Sequence, residues 1–237
     1  MTYTDEFHDR PLIQQRIVLI SIDDLFGHEQ TVRSQIEWLK ENLQTLGYFF
    51  RPILVAKGLN VILDGHHRVE ALRELGGKKI PCIEIDYLDN EEITLDTWHP
   101  LFIGDLEGYS FPEVLTNLDI KWTAIDTFNP SMLADSMYGF TLITANRRFR
   151  LEGSQQDIFN KFINTFNSKN FEYSKTVEYS FFMVEKGRAQ FALLRTNVTK
   201  QDVIDNAIAG KPFAPKTTRH ILSFRYQDIK VPLEALY

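Results

Sequence analysis

The chain has 237 residues, 43% of them hydrophobic, enough apolar material for one large core or two modest ones. Its formal charge of -6 argues against a general nucleic-acid binder, which must neutralise many phosphates. The single cysteine, Cys82, excludes an internal disulfide and a cysteine-rich zinc site.

The N-terminus, Met1-Thr2-Tyr3-Thr4-Asp5-Glu6, is polar and acidic and lacks the basic start and apolar run of a secretory leader. No apolar stretch approaches the roughly 20 residues that cross a bilayer. A soluble cytoplasmic protein is the expectation.

Ile17 to Ile22 is rich in β-branched residues and predicts a strand. From Thr31 to Leu46 the residues Val32, Ile36, Leu39, Leu43 and Leu46 recur at helical spacing, and Gly47 supplies a stop. Pro52 to Ala56 and Asn60 to Leu63 predict a hairpin around Lys57-Gly58. Asp64-Gly65 breaks the second strand, His66 to Leu75 predicts a helix that leaves at Gly76-Gly77, and Ile80 to Tyr87 predicts a final strand. The polar stretch Leu88 to Glu92 is the expected domain boundary, giving domains at 1–90 and 91–237.

Beyond the boundary, Thr141 to Leu151 reads as a strand. Ser154 to Phe166 reads as an amphipathic helix, with Ser154 as cap and Ile158, Phe159, Phe162, Ile163 and Phe166 on one face. Glu178 to Val184 and Gln190 to Thr196 read as a hairpin around Glu185-Lys186-Gly187. A helix starts at Thr199, with Asp202 three residues on, and ends at Gly210; Ile221 to Phe224 reads as a last strand.

The segment Leu63-Asp64-Gly65-His66-His67-Arg68 carries the most chemistry. It runs from a strand through a tight turn into a helix N-terminus, where free N–H groups, the helix dipole and a glycine all favour phosphate oxygens. Arg68, His66 and His67 add side-chain donors, and the Asp64 carboxylate is hard enough to hold Mg²⁺ on a nucleotide. A capped turn with ordinary surface histidines is the competing reading. Glu29, just before the first helix, either complements the helix dipole or acts as a general base toward a hydroxyl. Pro215-Lys216-Thr217-Thr218-Arg219-His220 is either a grip for a small carboxylate or a basic surface loop. Trp98 reads most simply as packing. The phosphate-binding G-x-x-x-x-G-K-[ST] and the dinucleotide G-x-G-x-x-G are absent.

At His28-Glu29-Gln30, Asp64 to Arg68, Thr97-Trp98 and Pro215 to His220, the chain resembles the ParB/sulfiredoxin-like superfamily and, within it, the free-serine kinases. The resemblance implies an α+β fold, with a ParB/sulfiredoxin-like N-terminal domain and a second, mixed α/β C-terminal domain. It also implies phosphoryl transfer from an adenine nucleotide to L-serine with Mg²⁺, with ADP as donor and ATP as the alternative. Carried over by position, Glu29 resembles the catalytic base and Asp64 a catalytic, metal-holding residue. Gly65, His66, His67 and Arg68 resemble the nucleotide site; Trp98, Thr218, Arg219 and His220 resemble the serine site. A ParB-like DNA-binding regulator is a further alternative. A sulfiredoxin-type reductase is set aside, because it needs a cysteine where His66 stands.

Overall fold

The strand Ile53–Ala56 is buried at all four positions. It pairs on one side in parallel with Lys79–Ile85 and on the other in antiparallel with Val61–Asp64. Ile17–Ser21 adds antiparallel to Lys79–Ile85, and Phe26–Gly27 adds parallel to Val61–Asp64, completing a mixed five-stranded sheet. The computed structural model describes residues 10–106 and 109–237.

Two helices pack beside this sheet. Helix α1, Arg33–Leu46, buries Ile36 and Leu43, and it ends at Gly47, whose φ of 71° lets its N–H return to the Leu43 carbonyl. Helix α2, His66–Glu74, buries Val69, Ala71 and Leu72. These residues share a core with Phe49, Ile53, Val55, Ile62, Ile80 and Cys82, to which Leu233 and Leu236 contribute from far along the chain.

The chain divides into two units. The first holds the described residues up to Leu95 together with Thr199–Pro215 and His220–Tyr237. The second holds Asp96–Val198 and Lys216–Arg219. Two strands, Ile93–Thr97 and Thr218–Leu222, form a ribbon, and each passes from one unit to the other along its length.

The second unit is built on an antiparallel six-stranded sheet. Both of its faces are covered, because alternate residues of a strand point to opposite sides. Phe102 and Phe191 stack at 5.1 Å on one face with Phe162 and Phe166, the latter pair brought by Gln155–Thr165 and its C-cap. Their neighbours Leu101 and Ala192 join Met183 and Val184 in a separate cluster. A short helix α3, Phe111–Asn117, brings the Phe111 ring to 5.3 Å from Phe191. The helix Gln155–Thr165, α4, is capped as expected by Ser154, whose side chain accepts from the Asp157 N–H.

Two expected elements are corrected. Thr141 to Leu151 is not one strand but two, Tyr138–Thr144 and Arg148–Glu152. Between them the Thr144 hydroxyl and backbone bond to Arg147 and close a hairpin turn. The expected strand from Glu178 is helix α5, Val177–Glu185. The run Phe181-Phe182-Met183-Val184 is apolar throughout and so has no legible period. The Thr176 side chain decides the matter by accepting the Tyr179 N–H, and burial of Ser180, Met183 and Val184 follows helical spacing. Helix α6, Lys200–Ile208, begins with the expected Thr199–Asp202 capping box. Among the described residues no helix is long and apolar enough to cross a membrane.

Candidate active site

Gly65 joins the strand Val61–Asp64 to α2 with φ +110°, a conformation that side chains resist. An added Cβ would stand 2.5 Å from Ile53 Cγ2 and 3.0 Å from Arg68 Nη2, so the turn closes tightly only on glycine. No side-chain hydrogen bond caps the start of α2.

Asp64, at the end of the strand, is half-exposed and gathers two donors on a single oxygen. Arg68 Nη2 donates to Oδ2 at 2.6 Å and the Tyr226 hydroxyl donates to the same atom at 3.0 Å. Oδ1 has no hydrogen-bond partner among the described residues. Burial works against the carboxylate charge, yet Arg68, the Tyr226 hydroxyl and Arg51 together hold Asp64 below the usual carboxylate range. Arg68 also donates to the carbonyls of Arg51 and Pro52, at 3.0 and 2.6 Å, so its guanidinium braces the turn as well as Asp64.

Three histidines meet behind the turn. The His28 ring meets His66 edge-on at 4.5 Å and His220 edge-on at 5.5 Å; His220 shares a 2.7 Å hydrogen bond with the Tyr87 hydroxyl. Burial lowers the proton affinity of all three, and their mutual proximity lowers it further for His66 and His220, the latter to about 3. These rings are neutral at physiological pH.

The segment that carries Glu29 is extended and held on both sides. His28 O accepts from Phe213 N–H at 2.8 Å, and Gln30 N–H donates to Phe213 O at 2.9 Å. Opposite, His28 N–H donates to His66 Nε2 at 3.2 Å and Val32 N–H donates to His67 Nε2 at 2.9 Å. Glu29 thereby lines a cleft of about 540 Å³ with Gly27, His66, Glu70, Arg73 and Pro212 among its walls. Glu70 and Arg73 pair with each other, and Arg73 also donates to the Ile22 carbonyl at 3.2 Å.

In the second unit, the Trp98 ring has Lys216 Nζ at 4.9 Å and the Arg219 guanidinium at 5.7 Å from its centroid. Arg219 also donates to the Lys175 carbonyl at 3.1 Å and faces Asp96 at 3.8 Å. The wholly buried Arg195 supports this group from below: its Nε donates to the Trp98 carbonyl and its backbone N–H to His99 Nδ1, at 3.2 and 3.1 Å. Thr218, Arg219 and His220 lie within a strand rather than ahead of one, so Arg219 faces the side opposite to Thr218 and His220. Trp98, Thr218 and Arg219 thus belong to the second unit; His220 belongs to the first, with Glu29, Asp64, Gly65, His66, His67 and Arg68.

Glu70 and Arg73 were not singled out from the sequence, although they follow His66 at four and seven residues, one helical face. Tyr87, Phe213 and Tyr226 leave no local signal, because their partners are far away in the chain.

The buried histidines set a pH response of stability. His99 is 2% exposed, and burial together with Arg195 and Arg219 lowers it to about 4. Below the ordinary histidine value near 6.5 the unfolded chain takes up protons that the folded chain refuses. Stability is therefore complete above that value and declines as pH falls toward 4, by up to ~3 kcal/mol for His99 alone. Urea midpoints measured from pH 7 down to pH 4.5 are expected to fall steadily; a flat series would contradict neutral burial.

No family model matches the chain. An ATP-dependent L-serine kinase of Staphylothermus marinus is 32% identical over 235 residues, covering 92% of this chain and 90% of that protein. The ADP-dependent L-serine kinase SerK of Thermococcus kodakarensis is 29% identical, with 97% of each chain covered. Among solved structures, a free serine kinase in complex with AMP is similar with a TM-score of 0.80 at 28% identity, covering 97% of both chains. The α+β fold of ParB/sulfiredoxin-like type expected from the sequence is the one found. A fold of this kind, joined to these relatives, defines a phosphotransferase with an alcohol group as acceptor. The chain belongs to the L-serine kinase family.

These relatives weigh toward the kinase reading rather than the DNA-binding regulator. The reductase reading fails on chemistry too: Cys82 is buried in the sheet, where burial pushes its thiol up to about 12 and keeps it from acting as a thiolate.

Proposed function

We propose that this protein transfers the β-phosphoryl group of ADP to the hydroxyl of free L-serine, releasing AMP and O-phospho-L-serine in the cytosol. The observation that carries the reading is the placement of Glu29 and His66 on one cleft, beside the uncapped, glycine-opened start of α2. Phosphoryl transfer asks mainly for positioning and charge neutralisation, and this turn supplies both. The serine Oγ–H proton passes to the Glu29 carboxylate as the Oγ–P bond forms and the bond from phosphorus to the AMP oxygen breaks. The N–H groups of the turn at Gly65, His66, His67 and Arg68 receive phosphate oxygens.

Mg²⁺ fits Asp64. Mg²⁺ on a nucleotide is commonly held by one or two carboxylates plus substrate phosphates, and Asp64 supplies a carboxylate beside the turn. The unpartnered Oδ1 is the atom available to it. When bound, the ion neutralises charge on the phosphoryl oxygens. Of the residues expected at the L-serine site, Trp98 and Arg219 share one face and are assigned to it first, the guanidinium of Arg219 matching the carboxylate, while Thr218 and His220 stand on the other face of the strand. In domain terms, 1–90 takes the nucleotide and 91–237 contributes the amino-acid site, with the C-terminal strands returning to complete the first unit.

ATP is the second reading, favoured by the ATP dependence of the 32% identical relative. A ³¹P spectrum of the protein with Mg²⁺, L-serine and either nucleotide separates the two. Phosphoserine and AMP from ADP are expected; phosphoserine from ATP alone reassigns the donor, and no phosphoserine from either ends the kinase reading.

A further inference from the structure

We propose that His66 and His67 are positioning residues, a pair of imidazole acceptors that fix the backbone on either side of Glu29 and so aim its carboxylate. Consecutive at the start of α2, the two rings reach a different element, the segment 28–32. There they accept the N–H of His28 at 3.2 Å and of Val32 at 2.9 Å, both through Nε2. On the other edge of the same segment, Phe213 bonds His28 O and Gln30 N–H. The N–H groups of residues 28, 30 and 32 are thereby all engaged, and Glu29 lies within the span they fix.

The arrangement determines where the protons sit. A neutral imidazole that accepts at Nε2 carries its hydrogen on Nδ1. His66 consequently keeps its hydrogen on Nδ1, and the residue lines the cleft that Glu29 also lines. Val32, the residue at the start of α1, has no side-chain oxygen to cap that helix, and its own N–H is taken up by His67. Rotation of either ring, or its loss, frees one end of the Glu29 segment. A carboxylate displaced by about 1 Å from a reacting hydroxyl loses up to about 100-fold in rate.

The inference deepens the kinase reading and rests on it for the rate measurements alone. In wild-type protein labelled with ¹⁵N-histidine, long-range ¹⁵N–¹H correlation is expected to show His66 and His67 neutral with the proton on Nδ1, assigned through single-histidine variants. A proton on Nε2 in either ring overturns the proposal, whatever the enzyme turns over. In kinetics, His67→Leu is expected to lower kcat by up to about 100-fold with both KM values within about two-fold. His67→Gln, whose side-chain oxygen can accept the Val32 N–H, is expected to regain most of that loss. A rise in nucleotide KM at unchanged kcat, or a His67→Gln enzyme no better than His67→Leu, also overturns it. A wild-type enzyme silent with both donors sinks the kinase reading and leaves the tautomer measurement to decide the histidine roles.

Discussion

Glu29→Gln is expected to lower kcat by about 10²- to 10⁴-fold, the contribution of a general base to a proton transfer. Glutamine has the same size and shape, and Glu29 is only partly buried, so neither core packing nor the backbone pairing with Phe213 changes. What disappears is the group proposed to accept the hydroxyl proton. Nucleotide affinity should stay near the wild-type value, since the turn at Gly65 is untouched. A built-in control stands in the same cleft: Glu70 is also a carboxylate on its wall, but it is paired with Arg73. Glu70→Gln is expected to cost far less. Should Glu70→Gln prove the crippled enzyme and Glu29→Gln the active one, the base has been assigned to the wrong carboxylate.

Asp64→Asn is expected to weaken Mg²⁺ binding by about 100-fold or more, since even groups one step removed from a metal commonly cost 10- to 100-fold. The amide keeps an oxygen for Arg68 and Tyr226, so the turn survives, while the anionic charge that attracts the cation is gone. Activity should recover in part as Mg²⁺ is raised, whereas Glu29→Gln should not respond. Stability adds a second signature. The folded pKa of Asp64 is lowered, so its charge stabilises the fold above the ordinary aspartate value and that contribution fades as pH falls through the acid range. The asparagine variant is expected to lose this low-pH dependence. An Asp64→Asn enzyme with unchanged Mg²⁺ dependence would remove Asp64 from the metal site.

The first unit was largely legible in the sequence because its signals are local. The spacing of Val32, Ile36, Leu39 and Leu43 has one interpretation, and Gly47, Gly58 and Gly65 adopt the positive φ that their turns demand. The second unit was harder. Its strands His99–Phe102 and Phe191–Arg195 are buried on both faces, so their side chains do not alternate between apolar and polar. The same lack of period hid α5, where a Thr176 cap outweighs a run that otherwise suits a strand.

In the candidate site, residue types were readable and their employment was not. Two adjacent histidines at a helix start announce imidazole chemistry, but not that both would accept backbone N–H groups from 28–32. The sequence places Arg68 beside phosphate, and the structure shows it bracing Arg51 O, Pro52 O and Asp64. Such roles depend on elements that only tertiary folding brings near, and a single sequence carries no local mark of them.

The interlocking of early and late chain in the first unit has a consequence for biosynthesis. Leu233 and Leu236 fill its core, Phe213 flanks Glu29, and Tyr226 grips Asp64. A ribosome that has made the first ninety residues has therefore made both catalytic acids but not the Phe213 and Tyr226 contacts that hold them from the far end of the chain. The nascent polypeptide must wait, with apolar surface uncovered, until translation has passed Leu236, and a nonsense codon some twenty triplets earlier would leave a product that keeps every active-site acid yet has no closed centre.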